Sequence, residues 1–349
     1  MRHISVALGG NPVFATMAYL MVAFCAALIF FITTGTSFAQ PVERNEFKLR
    51  DGVVVQRDQH MIYLMNAKGG IDAVELREGG SVWSTKTGAR PLTLNKNVLI
   101  AQTERAEDDR PGIGLTVLDT LSGRKLVDGF IKTPASVHGS VSGSLAGRLD
   151  LQALVEGGRA LVSWAFHARK LRGAKREFRG RKRFHELRDV KRARPTTGVA
   201  SLDLETGGVS KLTEEEASFA SVPLFLQKSL DAPEQRIPDV PGIQLLSADE
   251  RHVMTSQRID NDSVWEKYLI TIFSLETRKP IAKFRSHNSL SPFFVDGPTI
   301  VLETGPYERK IGTHIEREPL KIRALDLESG KELWSREIRD TTYRGPFPP

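Results

Sequence analysis

One eleven-residue pattern recurs along this chain and limits what it can fold into. The clearest copy spans residues 324–334 and reads Ala-Leu-Asp-Leu-Glu-Ser-Gly-Lys-Glu-Leu-Trp. Residues 73–83 match it without a gap, and partial copies occupy 117–126, 201–207 and 272–278. Such self-similarity indicates a repeat architecture in which each copy belongs to one supersecondary unit.

Each copy has the chemistry of a β-hairpin. Alternating apolar residues predict the end of a strand. The acidic residue and the Ser or Thr can hydrogen-bond to the turn backbone, and Gly supplies the positive φ that a short hairpin loop requires. In the fifth copy Arg278 replaces this Gly. The residues assigned these structural roles are Gly79, Trp83, Asp119, Gly123, Asp203, Gly207, Asp326, Gly330 and Trp334.

A further strand is predicted upstream of each copy, and each is preceded by a turn-like stretch. These strands cover residues 61–65, 97–103, 159–166, 251–257 and 299–303. Each unit therefore reads strand, turn, strand, loop, strand, Gly turn, strand, which is a four-stranded propeller blade. Five units are recognisable. At about 45 residues per blade the length predicts six or seven, with the degenerate blades, or the closure of the ring, in the gaps 128–150 and 213–242.

The pattern Ala-x-Asp-x-x-Ser/Thr-Gly-x-x-x-Trp resembles the quinoprotein-type (PQQ-like) propeller repeat. The resemblance covers about residues 50–340, and 324–334 match the pattern fully. It implies an all-β propeller of four-stranded antiparallel blades, in which Trp83 and Trp334 pack between neighbouring blades. The other three copies depart from the pattern at the Trp position, where they have Val127, Lys211 and Ala282.

The resemblance is closer to the non-catalytic members of this family. Its PQQ-dependent dehydrogenases are longer, and many carry an adjacent Cys pair beside the cofactor, whereas the only Cys here is Cys25. No two of the eight His lie within five residues of each other, and no nucleophile elbow, Walker loop or dinucleotide fingerprint occurs. We expect no catalytic residue, no cofactor and no metal. A small quinoprotein oxidoreductase that uses PQQ with calcium in the central funnel is the alternative.

The amino terminus reads as a targeting segment. Residues 13–32 are uncharged, Arg2 precedes them, and Ser37 and Ala39 are the small residues that a signal peptidase needs. We predict a signal peptide over residues 1–39, with an uncleaved anchor formed by 13–32 as the alternative. Either way the body, residues 40–349, is expected to be a single propeller domain outside the cytoplasm, periplasmic or secreted.

The positive charge of the chain is concentrated in one segment. The formal net charge is +7, but residues 169–194 contain 13 Lys and Arg against three acidic residues, a net charge of +10. This segment lies in a predicted loop insertion at about 168–197. Extracytoplasmic placement argues against nucleic acid, so we expect an anionic envelope surface or an acidic protein as its contact, with a solvated insertion as the alternative. The candidate contact residues are Arg176, Arg179, Arg181, Lys182 and Arg183.

The connections between the second and third strands of the units vary most. They cover about 66–70, 106–113, 168–197, 260–267 and 308–319. Equivalent loops of a propeller emerge on one face, which is a common place for function on a repeat scaffold. The sequence therefore predicts a non-catalytic binding or scaffold propeller whose partner is a protein or an anionic surface. Membrane contact is expected only through the N-terminal segment or the basic loop.

Overall fold

The computed structural model describes residues 45–104, 112–134, 137, 147–168, 195–213, 237, 240, 242–260, 267–286, 290–311 and 314–340. Regular structure in these ranges consists of β-strands alone, which confirms the all-β prediction. No helix in them is long and apolar enough to cross a membrane. The predicted signal peptide, the anchor alternative and the five candidate anion-contact residues lie outside the described residues.

The strands form consecutive antiparallel sheets, each built from neighbours in sequence. The first sheet contains β1 (Glu46–Arg50), β2 (Val53–Gln56), β3 (Met61–Met65), β4 (Ile71–Glu75) and β5 (Ser81–Thr85). The second contains β6 (Arg90–Asn95), β7 (Val98–Gln102), β8 (Gly112–Asp119) and β9 (Lys125–Lys132). The third contains β10 (Gly147–Glu156), β11 (Arg159–Ala168), β12 (Thr196–Asp203) and β13 (Val209–Leu212).

Two more sheets complete the described part of the fold. The fourth contains β14 (Gln244–Leu246), β15 (His252–Asp260), β16 (Lys267–Ser274) and β17 (Pro280–Ser286). The fifth contains β18 (Phe293–Asp296), β19 (Thr299–Thr304), β22 (Lys321–Asp326) and β23 (Glu332–Glu337). A separate hairpin of β20 (Tyr307–Ile311) and β21 (His314–Glu318) lies in the connection between β19 and β22.

Burial along the strands follows from this stacking of sheets. The middle strand β3 is buried at every residue, because neighbouring sheets cover both of its faces. The outermost strands β5 and β23 expose several of their side chains. The inner and middle strands therefore need continuous runs of apolar residues, whereas the outermost strands can be polar.

The four predicted glycines occupy equivalent turns between the third and fourth strands. Gly79, Gly123, Gly207 and Gly330 have φ between 67° and 72°. Each donates its N–H to the carbonyl of the acidic residue four positions earlier, at 2.8–3.0 Å. Only glycine adopts this left-handed conformation without a steric cost, so the repeat has Gly at this point.

The acidic residue of the repeat organises the same turn. Asp119 Oδ1 accepts hydrogen bonds from the N–H and the hydroxyl of Ser122, at 2.8 and 2.7 Å. Asp203 does the same with Thr206, and Asp326 with Ser329. These hydrogen bonds lower the pKa of all three carboxyl groups. The Asp and the Ser or Thr thus recur in these copies because their hydrogen bonds hold the turn.

Successive sheets dock through these turns. A Cβ on Gly123 would lie 2.6 Å from the ring of Trp83, which belongs to the preceding sheet. Gly207 lies against Val127 and the carbonyl of Asp128 in the same way, and Gly330 against Phe284. Each Gly turn therefore receives the outermost strand of the sheet before it.

The same contact joins the last sheet to the first. Trp334 lies on Gly79, and its indole N–H donates to the carbonyl of Leu76 at 2.8 Å. One apolar core combines residues of both sheets, among them Val55 and Ile322. The sheets are therefore the blades of a β-propeller, as the repeat predicted, and we number them blades 1 to 5 in chain order.

The described residues contain five blades, four with four strands and one with five, which match the five units recognised in the sequence. The two ends of the first gap, 128–150, belong to β9 of blade 2 and β10 of blade 3, because these strands are longer than the repeat suggested. Residues 135–146, apart from 137, lie outside the described residues. The second gap, 213–242, lies almost entirely outside the described residues.

Blade 1 has one strand more than the repeat predicts. The additional strand β1 pairs antiparallel with the innermost strand β2, and Phe47 packs edge-on against Phe294 of blade 5 with ring centroids 5.1 Å apart. On its other side β1 contacts β6, the innermost strand of blade 2. β1 therefore occupies the inner side of the ring between blades 5 and 2.

Candidate functional site

Two faces of the propeller follow from the strand directions. One, the turn face, carries the turns between the first and second strands and between the third and fourth strands of each blade. The other, the loop face, carries the connections between second and third strands and those between blades. All five variable connections singled out in the sequence therefore leave the loop face, as expected for equivalent loops.

The basic insertion leaves the loop face from blade 3. β11 and β12 pair regularly up to the couple Phe166 and Thr196, so both ends of the insertion start at the same end of the sheet. Blade 3 has its four strands without the 13 Lys and Arg of the insertion, which lie outside the described residues. The five candidate residues themselves lie outside the described residues, so their positions stay a prediction.

Ion pairs line the inner side of the ring near the loop face. Arg50, at the end of β1, pairs with Glu303 of blade 5 at 2.9 Å and lies 3.9 Å from Asp340. Asp51 pairs with Arg90 of blade 2 at 2.9 Å and with Lys48 at 2.5 Å. The charges of this cluster are therefore matched with one another across blades 5, 1 and 2.

The pKa values of two carboxyl groups in this cluster reflect its burial. Burial alone would raise the pKa of Asp51, but the charges of Lys48 and Arg90 outweigh it and lower the pKa. For Glu303 burial dominates, and its pKa is raised although Arg50 acts against it. The ion pairs of these two carboxyl groups join β1 and the residue that follows it to blades 5 and 2.

A second charged cluster joins blades 1, 4 and 5 at the turn face. Arg57 follows β2 and donates from Nη2 to Asp249 Oδ2 at 2.5 Å and to the Val295 carbonyl at 3.0 Å. Its Nε lies 3.4 Å from Asp296, and its guanidinium stacks 5.2 Å from the centroid of the Phe47 ring. This arginine therefore fixes three blades around the aromatic residue of β1.

Asp249 is the most strongly perturbed carboxyl group in the described residues. Burial by itself would raise its pKa, but interactions with His252, Ser247 and Arg57 outweigh burial and hold the pKa well below its usual range. Ser247 Oγ donates to Asp249 Oδ1 at 2.6 Å, while His252 Nδ1 lies 3.9 Å away. These hydrogen bonds and the charge of Arg57 therefore favour the ionised form of the Asp249 carboxyl group.

A small cavity lies beside β1, between the innermost strands of blades 1, 2 and 3. Its volume is about 250 Å³. Its walls include Phe47, Val54, Leu92 and Leu94, with Glu46 near one end. Burial raises the pKa of Glu46, although its Oε1 accepts the N–H of Lys96 at 2.7 Å. Lys48, Thr93 and Asn95 also line the cavity, so its surface is more polar than apolar.

A metal centre was not expected from the sequence. No group of three or more His, Cys, Asp or Glu in the described ranges is arranged to hold a metal ion.

Sequence reasoning found the repeat residues but missed both charged clusters. The structure places Trp83 and Trp334, with their adjoining glycines, at blade junctions on the outer side of the ring, and neither Trp lines the cavity beside β1. Arg57 and Asp249 are 192 positions apart, so no local motif connects them. The sequence offered one local indication of these two residues: Arg57 and Asp249 each follow a short apolar strand, β2 and β14.

Comparison with known proteins does not assign the chain to a family. No protein-family model and no curated protein matches it. Among solved structures it is similar to the quinohemoprotein alcohol dehydrogenase ADHIIG of Pseudomonas putida HK5, with 9% identity, a TM-score of 0.23, and 82% of this chain and 58% of that chain covered. The chain therefore spans less than two thirds of that enzyme.

Two further structures show the same low level of likeness. The β-propeller domain of Cps50 (Swd1) from Myceliophteria thermophila has 7% identity and a TM-score of 0.25, with 82% of this chain and 85% of that chain covered. A europium-containing methanol dehydrogenase has 12% identity and a TM-score of 0.20, with 80% and 67% covered. Identities and TM-scores this low do not carry an activity or a ligand from those proteins to this chain.

Proposed function

We propose that this protein is a non-catalytic binding or scaffold propeller that works outside the cytoplasm. The observation that carries the proposal is the position of β1. An enzyme that used the central funnel would need an open inner side of the ring, whereas here β1 occupies part of that side, with Phe47 packed on Phe294 and the strand in contact with β6. Occupation of the inner side by a strand of the same chain supports a role in presenting surfaces.

The buried charges support the same proposal. The guanidinium groups of Arg50, Arg57 and Arg90 each pair with a carboxylate of the chain itself. A catalytic acid or base needs a pKa near the working pH and access to substrate. Asp249 has its pKa shifted away from neutrality and its side chain is buried, so it fits a structural role better.

The partner proposed from the sequence is a protein or an anionic envelope surface. The variable loops leave one face, and the +10 insertion belongs to that face. The described blades hold together without it, which is how a binding loop is carried on a rigid scaffold. Delivery through the N-terminal segment would place this face outside the cytoplasm.

The experiment that tests the proposal is reconstitution with PQQ and calcium. The purified protein is incubated with both and assayed for dye-linked oxidation of primary alcohols and sugars, and its near-ultraviolet and visible absorption is recorded. We expect neither activity nor an absorption band that remains after desalting. Stoichiometric PQQ retention with turnover at an ordinary enzymatic rate, about 1 per second or faster, would establish the quinoprotein alternative instead.

A further inference from the structure

The outermost strands of four blades carry a β-bulge at the same place. In blade 1 Ala73 pairs with Trp83 and Val74 with Ser81, so Val82 has no partner on β4. Corresponding register shifts leave out one residue of the outermost strand in blades 2, 4 and 5. The bulged residues are apolar and exposed. Their exposed fractions are 54% for Val82, 44% for Leu126, 37% for Ile281 and 47% for Leu333.

A bulge on an outermost strand prevents that edge from accepting another strand. It leaves one residue unpaired, bends the strand and increases its twist, so the row of outward N–H and C=O groups loses its spacing. Four of the five described edges of this propeller are protected in this way. The exposed apolar side chains on them are single residues at separate blades and do not form one patch.

Blade 3 has no such bulge. β13 pairs with β12 without a register shift, from Val199 with Leu212 to Leu202 with Val209. The position that is bulged and apolar elsewhere is Ser210 here, and Ser210 and Lys211 are both exposed. Among the five described outermost strands, β13 is the one with a regular edge.

The outward backbone groups of β13 can be assigned from the pairing. Asp203 donates its N–H to the Gly208 carbonyl at 2.9 Å, so these two residues form a hydrogen-bonded pair. Hydrogen-bonded and non-hydrogen-bonded pairs alternate along an antiparallel ladder. Ser210 and Leu212 therefore bond to β12, while the N–H and C=O groups of Val209 and Lys211 point away from the sheet.

We propose that the edge of β13 is a docking site for an extended, acidic polypeptide segment that adds to blade 3 as a fifth strand. The proposal rests on the proposed binding function and names its partner class. The regular edge supplies the backbone hydrogen bonds. The partner residue opposite Val209 or Lys211 must present its own N–H and C=O groups, which sets the register.

The positive charge near this edge indicates that the partner segment is acidic. Lys211 is exposed on this edge, and a carboxylate on the neighbouring strand would lie within reach of its ammonium group. The 13 Lys and Arg that precede β12 in the sequence add attraction for an acidic chain. A second copy of this protein is a poorer occupant, since the same basic residues would repel one another.

The test uses the full mature chain and a synthetic peptide of alternating Glu and Val with a fluorescent label. A second peptide of the same sequence carries N-methyl groups on alternate residues, which removes one row of backbone donors and keeps the charge. We expect the first peptide to bind and the N-methylated peptide to bind about tenfold more weakly or worse, as loss of roughly 1.4 kcal/mol of hydrogen bonding implies. Equal affinity of the two peptides would overturn strand addition.

Protein variants test the site itself. Lys211→Pro removes an outward N–H that β12 does not use, so we expect the fold to persist and peptide affinity to fall by about tenfold. Lys211→Glu keeps the N–H and should weaken binding through charge repulsion, more at low salt than at high salt. Lys283→Glu, on the bulged outermost strand of blade 4, is the matched control and should bind as the unchanged protein does.

The remaining outcomes separate this proposal from the proposed function. If the unchanged protein fails to bind the peptide and also shows no PQQ-dependent activity, strand addition is overturned and the scaffold function is retained. If PQQ-dependent activity appears, the scaffold function is overturned whatever the peptide does. A dimer in sedimentation velocity that Lys211→Pro abolishes would assign the edge to a second copy and overturn the acidic segment.

Discussion

Trp334 of blade 5 lies directly on Gly79 of blade 1, and this contact joins the fifth described blade to the first. A Cβ atom on Gly79 would lie only 2.4 Å from Trp334 Cγ. The indole N–H donates to the Leu76 carbonyl, and Arg336 donates to the carbonyl of Gly79 at 2.6 Å. Trp83 of blade 1 makes the equivalent contact with Gly123 of blade 2, and its indole N–H donates to the Thr120 carbonyl. The junction between blades 5 and 1 therefore has the same interactions as this junction between consecutive blades.

Replacing Gly79 with Ala should destabilise the propeller strongly. The new methyl group meets the Trp334 ring, and the backbone φ of +70° is strained for any residue with a Cβ. Gly157→Ala is the matched control, because its φ is +56° and no atom lies within 4 Å of the added methyl group. Urea unfolding should show a loss of about 1–2 kcal/mol for Gly157→Ala and about 1–3 kcal/mol more for Gly79→Ala. Similar losses for both would show that the Trp334 contact is not tight.

Replacing Arg278 with Gly should stabilise the protein. Arg278 occupies the glycine position of the fifth repeat with φ of +56°, and its N–H still donates to the Ser274 carbonyl at 2.8 Å. Relief of the left-handed strain, about 1–2 kcal/mol, exceeds the entropic cost of glycine, about 0.5–1 kcal/mol. Thermal unfolding should therefore move to higher temperature. Glu276→Gly, in the same turn but without positive φ, should lower it, and a loss in both variants would contradict the strain argument.

Asp249→Asn should destabilise the junction of blades 1, 4 and 5 and remove part of the acid sensitivity. Without the carboxylate, Arg57 is left as a buried charge with only Asp296 nearby, a situation that costs about 3–5 kcal/mol. The folded pKa of Asp249 lies below its unfolded value. Its contribution is therefore complete above the unfolded pKa and is lost progressively as the pH falls below that value toward the folded pKa.

The measurement is the free energy of unfolding in urea at several pH values. The difference between the unchanged protein and Asp249→Asn should be largest at neutral pH and should shrink as the pH falls below about 5. Asp58→Asn, an exposed carboxyl group on the same face, is the control and should change the stability by less than about 0.5 kcal/mol. A difference that is constant with pH would mean that the charge of Asp249 is not what stabilises the junction.

The sequence predicted the features that repeat and missed those that occur once. Gly123, Asp119 and Trp83 were identified because hairpin chemistry is local and returns in each unit. The pairing of β1 with β2 was not predicted, since residues 46–50 lie outside the repeating unit. The bond between Arg57 and Asp249 depends on the ring bringing blades 1 and 4 together, and no local pattern contains that information. The bulges escaped notice because the pairing register, and not residue type, defines them.

Replacing residues 169–194 with a short Gly/Ser linker should leave the blades intact and abolish binding to anionic surfaces. The ladder between β11 and β12 already closes at Phe166 and Thr196, and loop closure changes by only about 0.6 kcal/mol for each doubling of loop length. Co-sedimentation with vesicles containing anionic lipid should show binding by the full chain at low salt, weakened at high salt because surface charge is screened within about 8 Å at physiological ionic strength. A charge-only variant, with Ser at Arg176, Arg179, Arg181, Lys182 and Arg183, should lose most of the binding while keeping the loop. Equal binding by all three proteins would exclude the insertion as the contact, and a large loss of thermal stability in the linker variant would show that the segment is part of a blade.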